Sequence, residues 1–212
     1  MNEKIKSGIL NILFAVVCTA VIISLAVSIT VWCRPIYYFD LGYLDIPERS
    51  GIAEEICRLN YDALIDYNVI GGPDELQFPT LAMSETGRIH FEEVKDIFIT
   101  MQWTGIIGGA LIILAMFKWK ENKWLHYTVF TTVGIAAAVL AAVIIDWEWA
   151  FTTMHKIFFN NDYWIFSAKT DPVIKILPDE FFMHCGLVII LLVVLAMAVF
   201  EIIYRKRRKH NG

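Results

Sequence analysis

The sequence predicts an all-α membrane protein with four transmembrane helices and an extracytoplasmic, mostly helical cap. Hydrophobic residues make up 57% of the 212 positions, and the mean hydropathy is +0.55. A soluble domain of this length is normally far less apolar. Four stretches approach or exceed the roughly 20 apolar residues that a helix needs to cross a bilayer. Short basic connections also alternate with long acidic ones, as in multi-pass proteins.

The four predicted spans are residues 8–32, 98–117, 125–145 and 181–204. The first span could be mistaken for a secretory signal. Its apolar run is much longer than the ~7–15 residues of a signal core, and no convincing small-residue cleavage site follows it. We therefore expect it to be a retained membrane helix.

Basic residues predict the orientation of the chain. Lys4 and Lys6 precede the first span, and both the 118–124 connection and the 205–212 tail are rich in Lys and Arg. These three segments should be cytoplasmic, so residues 33–97 and 146–180 should form the outer cap. The cap segments carry nearly all the acids, which explains the net charge of −4. The basic tail favours contact with anionic membrane lipids and is no sign of nucleic-acid binding.

Two helices are predicted in the first cap segment. The stretch "SGIAEEICRLNYDALIDYN" offers Ser50 as an N-cap and places four small or apolar residues at helical spacing, which indicates an amphipathic helix with one buried face. Those residues are Ile52, Ile56, Leu59 and Ala63. A second helix should begin near Ser84 or Thr86 and continue without a break into the second span.

Two histidines are predicted to share one layer above the membrane. A short connection joins the second and third spans, which should therefore be antiparallel neighbours. His90 lies eight residues before Phe98, and His155 lies nine residues after Asp146. If both helices continue that far, a rise of about 1.5 Å per residue places both histidines roughly 12–14 Å above the hydrocarbon edge. The alternative is that both are ordinary interfacial side chains.

Three further histidines are weaker candidates. His126 and His210 should be cytoplasmic surface residues, and His184 lies in the first turn of the last span. The many aromatic residues of the second cap segment are consistent with an interfacial belt. A disulfide between Cys33 and Cys57 is possible and is left open.

No nucleophile motif, HExxH motif or close cluster of metal-ligating residues is present in the sequence. We therefore expect neither a metal nor a cofactor. A two-histidine site suits a reaction in which the substrate supplies its own nucleophile, because histidine accepts and returns a proton near neutral pH.

Two segments carry a family resemblance. "SETGRIHFEEVKDIF" and "MHKIFFNNDYWIFSAKTDPVIKILPDEFF" closely resemble signature segments of the lipoprotein intramolecular transacylase (Lit) family of small bacterial membrane proteins. The resemblance extends to four spans, an outer cap and "LNYDALIDYN", and so covers most of the chain. One departure is Gly87, because some members have an acid three residues before the first histidine.

The resemblance implies an acyltransferase of the bacterial cytoplasmic membrane. Its substrate would be a diacylated lipoprotein, whose sn-2 acyl chain moves to the free amino group of the N-terminal cysteine and leaves the lyso form. The family's two catalytic histidines correspond to His90 and His155. We favour His155 as the base, and His90, as an imidazolium, as the electrophile and acid.

An aromatic pocket would hold the substrate in a reactive conformation and exclude water. We expect its walls to be Phe158, Phe159, Tyr163 and Trp164. Three acids are candidates for orienting an imidazole: Glu93, Asp162 and Asp171.

The sequence is also compatible with three alternative functions. A membrane esterase or phospholipase would use the same histidines with water and release free fatty acid. A metal-dependent hydrolase would need His90, His155 and an acid such as Asp162 around one ion. A non-enzymatic protein that binds lipid or a membrane partner through its cap would keep its function when His90 is replaced by Gln.

Overall fold

The computed structural model describes residues 3–119 and 123–210, and every regular element in those ranges is a helix. Four helices are long and apolar enough to cross a membrane: α1 (Glu3–Trp32), α5 (Glu85–Lys118), α6 (Lys123–Ile145) and α9 (Asp179–His210). Five shorter helices are α2 (Arg34–Tyr43), α3 (Ile46–Ser50), α4 (Glu54–Tyr67), α7 (Trp147–Phe158) and α8 (Val173–Ile176). Lys120 of the predicted basic connection and residues 211–212 of the tail lie outside the described residues.

Helix α1 is the common packing partner of the other three long helices, α5, α6 and α9. Glycines bring α5 close to it: a Cβ on Gly108 would lie 2.4 Å from the Val21 side chain, and one on Gly105 would lie 3.0 Å from Leu25. Small residues permit such close approach between membrane helices. The expectation that α5 and α6 are direct neighbours is wrong, because α5 packs against α1, and α6 packs equally against α1 and α9.

Helix α5 begins where the sequence predicts. The Ser84 hydroxyl accepts a hydrogen bond from the Gly87 N–H at 3.0 Å, which caps the first turn. The helix then continues unbroken for 34 residues. At about 1.5 Å per residue it is about 51 Å long, well beyond the ~30 Å of a hydrocarbon core. Its charged N-terminal turns therefore extend past the apolar stretch and carry His90.

A second hydrophobic core lies at the end of the bundle where α9 begins. Tyr37 of α2 stacks on Tyr61 of α4 with ring centroids 3.9 Å apart, and Phe181 of α9 packs edge-on against both. The buried Tyr37 hydroxyl donates to the carbonyl of Ile176 at 2.9 Å. This core ties α2, α4 and α8 to the last long helix. Neither α2 nor α3 was predicted from the sequence.

The prediction for α4 was wrong in two respects. The helix begins at Glu54 rather than after Ser50, because Gly51 adopts a left-handed conformation (φ 70°) and ends α3 first. Leu59, expected on the buried face, is 46% exposed. The buried stripe instead contains Cys57, Asn60, Tyr61, Leu64 and Ile65. Asn60 is buried because Thr80 and the Ile56 carbonyl accept its amide protons.

Candidate active site

His90 is buried where α5 emerges from the bundle. Its side chain is 6% exposed and lies among aromatic rings. Its ring centroid is 4.7 Å from that of Phe159 and 5.4 Å from that of Phe166. The Nδ1 atom is buried and has no hydrogen-bond partner among the described residues. Such an orphaned nitrogen is costly in an interior unless a ligand or water satisfies it.

His155 reaches the same place from α7. Asp146 caps this helix by accepting a hydrogen bond from the Trp149 N–H at 2.9 Å, directly after α6 ends at Ile145. The His155 Nδ1 atom lies 2.8 Å from the Phe151 carbonyl oxygen. A carbonyl oxygen only accepts, so Nδ1 carries the proton. In the neutral ring Nε2 is then left with a free lone pair.

The two imidazoles lie in one cluster of aromatic rings, called the aromatic pocket below. Their ring centroids are 6.2 Å apart and their planes are inclined by 31°. Phe159, which is buried, contacts both rings, at 4.7 Å from His90 and 5.7 Å from His155. A single reacting group between the two rings would therefore be within reach of both. The helices brought together are α5 and α7, which are far apart in the sequence.

The electrostatics of the pocket favour neutral histidines. Burial lowers the pKa of the His155 imidazole, and the Phe151 carbonyl and the Asp179 carboxylate oppose that shift only in part. His90 is at least as buried, and a second charged ring 6.2 Å away would repel it. At neutral pH the pocket therefore holds a base without holding a standing positive charge.

The predicted aromatic walls are only partly in contact with the histidines. Phe159 touches both rings, and Trp164 lies against His155 at 4.8 Å. Phe158 and Tyr163 are 50% and 39% exposed. Two other rings complete the enclosure: Phe166 against His90 and Phe151 against His155 at 4.2 Å. The spacing of four residues between Phe151 and His155 in the sequence could have predicted the second of these contacts.

The three candidate orienting acids do not hydrogen-bond to either histidine in the described part of the chain. Asp162 is exposed. Asp171 is 2% exposed and accepts hydrogen bonds from the Ser84 N–H at 2.7 Å and the Thr170 hydroxyl at 2.7 Å. Glu93 accepts a hydrogen bond from the Asn161 side-chain amide at 2.8 Å.

Asp171 joins the two halves of the pocket. Its bond to Ser84 connects the second cap segment to the first turn of α5. A Cβ added to Gly87 would lie 2.3 Å from the Asp171 Oδ1 atom, so this contact requires glycine. Gly87, one turn before His90, thus makes room for a carboxylate that comes from elsewhere in the chain.

His184 lies in a separate site. Its Nδ1 atom is 2.9 and 3.0 Å from the two carboxylate oxygens of Asp40, which is 1% exposed. Both residues line a largely apolar groove of about 610 Å³ together with Cys33, Phe39, Tyr43 and Val188. No group of three or more His, Cys, Asp or Glu residues within 3–119 and 123–210 is arranged to hold a metal ion. All four cysteines are free, so Cys33 and Cys57 are not bridged in the structure.

Comparison with known proteins identifies the family. The family model described as lipoprotein intramolecular transacylase Lit matches residues 12–182. A search of curated proteins gives no match. Among solved structures, the membrane-integral lipoprotein intramolecular transacylase Lit from Bacillus cereus is 33% identical, with a TM-score of 0.86, over 96% of this chain and 98% of that one.

Two structures of Bacillus cereus Lit variants, in which one histidine is replaced, also match. The arginine variant is 30% identical with a TM-score of 0.76, over 99% of this chain and 96% of that one. The alanine variant is 30% identical with a TM-score of 0.77, over 99% of each chain. With its four apolar helices and this likeness, the chain is a multi-pass membrane protein. It belongs to the lipoprotein intramolecular transacylase (Lit) family of membrane acyltransferases.

Proposed function

We propose that the protein transfers the sn-2 acyl chain of a diacylglyceryl lipoprotein to the free amino group of that lipoprotein's N-terminal cysteine. The product is the lyso form, which has an N-acyl cysteine and a free glyceryl hydroxyl. The observation that carries the proposal is the pair of buried imidazoles, 6.2 Å apart in one aromatic pocket. The family name supports the substrate class.

The pocket supports acyl transfer by shaping the substrate. The attacking nitrogen, Cα, Cβ, sulfur, two glycerol carbons, the ester oxygen and the acyl carbon close an eight-membered ring. A flexible chain rarely forms such a ring, because several torsions must be fixed together. Walls formed by Phe151, Phe159, Trp164 and Phe166 favour the folded conformer and keep water away from the ester.

His155 is the base in this proposal. The Phe151 carbonyl holds the proton on Nδ1, which leaves the Nε2 lone pair for the substrate. An α-amino group titrates near pH 7.7–8.0, so the base removes a proton from an amine that is already partly neutral. The amine nitrogen attacks the sn-2 carbonyl carbon while Nε2 takes that proton.

His90 stabilises the oxyanion in this proposal. Its burial disfavours the standing imidazolium that the sequence suggested, so a neutral ring donates one N–H to the negatively charged oxygen. The bond between the acyl carbon and the glyceryl oxygen then breaks. The His155 imidazolium returns its proton to that oxygen, which completes the amide and the hydroxyl. Only one imidazolium is needed at any time.

The topology completes the proposal. We place both termini and the 118–124 connection in the cytoplasm, and residues 33–97 and 146–180 on the outer face of the bacterial cytoplasmic membrane. The basic residues flanking the spans support this orientation. The histidine pocket would then lie at the outer headgroup layer, where membrane lipids surround the protein and lipoprotein substrates are anchored.

Mass spectrometry of a diacylated lipoprotein tests the function. The lipoprotein is co-expressed with the wild-type protein, His90→Gln or His155→Gln in a host that does not otherwise N-acylate lipoproteins. His184→Gln is the matched control, because it removes a histidine that is bound to Asp40. We expect an unchanged total mass with one acyl chain moved to nitrogen for wild type and control only. Loss of one acyl chain from the total mass would indicate an esterase.

A further inference from the structure

One carboxylate oxygen beside the histidine pocket has no partner in the described part of the chain. It belongs to Glu93, which lies three residues after His90 on α5, close to the same helix face. The Oε1 atom of Glu93 accepts a hydrogen bond from the Asn161 side-chain amide at 2.8 Å. Its Oε2 atom is fully buried and is the unpartnered oxygen. A buried acceptor of this kind costs about 1–3 kcal/mol unless a donor reaches it.

The orientation of this carboxylate is fixed by the loop that follows α7. The Asn161 side-chain oxygen accepts a hydrogen bond from the Tyr163 N–H at 3.0 Å, so the Asn161 amide nitrogen must point to Glu93. The Asn161 backbone oxygen accepts a hydrogen bond from the Trp164 indole N–H at 3.1 Å. The Trp164 ring in turn packs on His155. Glu93 is therefore held against the segment that forms the wall of the pocket.

A second unpartnered atom lies one turn away. The Nδ1 atom of His90 is buried and unsatisfied among the described residues, and the side chain is 6% exposed. Two orphaned polar atoms on successive turns, next to the aromatic pocket, indicate a missing polar ligand. An ionised carboxylate accepts hydrogen bonds and never donates them, so the group that it binds must be a donor. A cationic donor matches its charge as well.

We propose that Glu93 Oε2 is the binding subsite for a primary ammonium group, namely the α-ammonium of the substrate's N-terminal cysteine. This inference rests on the proposed function and names the group that selects the substrate. An ammonium has three N–H donors, so one can bind Glu93 while another is presented to His155 Nε2. An N-acylated lipoprotein has no charge to offer here and would be rejected.

The subsite acts in binding rather than in proton transfer. A carboxylate stabilises the protonated amine, so it does not by itself make the amine more nucleophilic. It fixes the nitrogen. The bound ammonium releases one proton to solvent, and His155 then takes a second proton from the attacking amine and returns it to the glyceryl oxygen. Loss of Glu93 should therefore raise KM more than it lowers kcat. A residue that only supported the fold would not produce that difference.

Glu93→Gln is an informative substitution because Asn161 fixes the orientation of the new amide. The carbonyl of the introduced side chain replaces Oε1 and accepts from Asn161, which leaves the amide NH₂ in the position of Oε2. The acceptor becomes a donor and now repels an ammonium. Glu92→Gln is the matched control, because Glu92 is the neighbouring carboxylate on the same helix and pairs with Arg88.

Binding to unreactive substrate analogues tests the subsite separately from catalysis. The probes are two peptides that begin with S-(2,3-dialkoxypropyl)cysteine, one with a free amine and one N-acetylated, titrated into the full-length protein in nanodiscs at pH 7. We expect wild type and Glu92→Gln to favour the free amine roughly ten- to hundredfold, which is the effect of one charge-assisted hydrogen bond. Glu93→Gln should bind the two peptides equally.

Two results would overturn the subsite without affecting the proposed function. One is a Glu93→Gln protein that still prefers the free amine. The other is a wild-type protein that binds both peptides equally at pH 7, which needs no variant and so does not depend on correct folding. In either case, the proposed reaction would still be supported if His90→Gln and His155→Gln lose acyl transfer. Wild-type affinity for the free amine should also fall as pH rises through 7.7–8.0, since the ammonium is then lost.

Discussion

Two histidine sites lie near the ends of the long helices, and they differ in what surrounds the ring. His184 is bound through Nδ1 to both oxygens of the buried Asp40 carboxylate. His90 and His155 have no carboxylate partner among the described hydrogen bonds and share an aromatic pocket. At the first site, the histidine is the hydrogen-bond partner of a buried carboxylate. The second leaves one nitrogen of each ring available to a ligand.

The comparison shows why a histidine is best judged by its hydrogen-bond partners. The Asp40 carboxylate would be costly in the interior without a donor, and His184 supplies one. His155 has its Nδ1 proton bound by a neutral carbonyl, which fixes the tautomer without adding charge. The two sites therefore predict opposite consequences of substitution: loss of stability at one and loss of chemistry at the other.

The largest expected effect is on the rate of acyl transfer. His155→Gln and His90→Gln should each lower kcat by about 10²–10⁴-fold, the usual contribution of general acid–base or oxyanion-stabilising groups. His184→Gln should remain within a few-fold of wild type. Single-turnover assays on purified protein in nanodiscs measure all three. If His184→Gln were as inactive as His155→Gln, the distinction between the two sites would be lost.

Gly87→Ala should have the next largest effect, by displacing the carboxylate that joins the two halves of the pocket. The new methyl group would lie 2.3 Å from Asp171 Oδ1, so Asp171 must leave Ser84 or α5 must shift. Overpacking of this kind costs about 1–3 kcal/mol. We expect a lower unfolding temperature together with lower activity.

Gly134→Ala is the control for this substitution. Gly134 lies in α6, and an added Cβ would meet nothing within 4 Å. We expect its stability and activity to match or exceed those of wild type, because alanine is the better helix former. Equal behaviour of the two alanine variants would contradict the role given to Asp171.

Asp40→Asn should reduce stability and leave most activity. The substitution removes the charge that His184 partners, while the amide retains one acceptor and nearly the same shape. We expect a loss of about 1.5–3 kcal/mol in the free energy of unfolding, the range for one charged hydrogen bond. Thermal unfolding and the acyl-transfer assay should therefore respond differently. A loss of activity with unchanged stability would assign chemistry to this second site.

The smallest expected effect is a shift in the pH dependence of kcat. Burial lowers the pKa of His155 below the ordinary 6.5, so the ring is neutral and basic at pH 7 and becomes protonated only at lower pH. As the pH is lowered, kcat should therefore fall when this ring becomes protonated, and the midpoint of that acid limb should lie below pH 6.5. Trp164→Ala exposes the ring, which raises its pKa and moves the limb upward. If Trp164→Ala left the acid limb unchanged, the fall in kcat at low pH could not be assigned to His155.

Much of this fold was predictable because its signals are local. The apolar length of each span, the Ser84 cap and the unbroken run into α5 depend only on neighbouring residues. The approach of His90 and His155 was also anticipated, but the stated reason was wrong, since α5 packs on α1 through Gly105 and Gly108 rather than on α6. The helical-rise estimate also required an unbroken helix from α6 to His155, whereas α6 ends at Ile145 and Asp146 caps the new helix α7.

The remaining features depend on contacts between distant segments. Leu59 has the polarity and spacing of a buried residue, yet the buried face of α4 is set by Tyr61 stacking on Tyr37. Nothing near Gly87 in the sequence indicates that Asp171 needs its space. The unpartnered oxygen of Glu93 becomes visible only when Asn161 is placed beside it. Sequence patterns indicate which residues are polar or apolar, whereas these partners are set by tertiary packing.

A crossover experiment tests the central claim most directly. Two diacylated lipopeptides with different peptide masses are mixed with the protein, one of them carrying deuterated acyl chains. Transfer within one molecule predicts lyso products in which labelled chains stay with the labelled peptide, all dependent on His90 and His155. Labelled N-acyl chains on the unlabelled peptide, or free labelled fatty acid, would contradict an intramolecular reaction in this pocket.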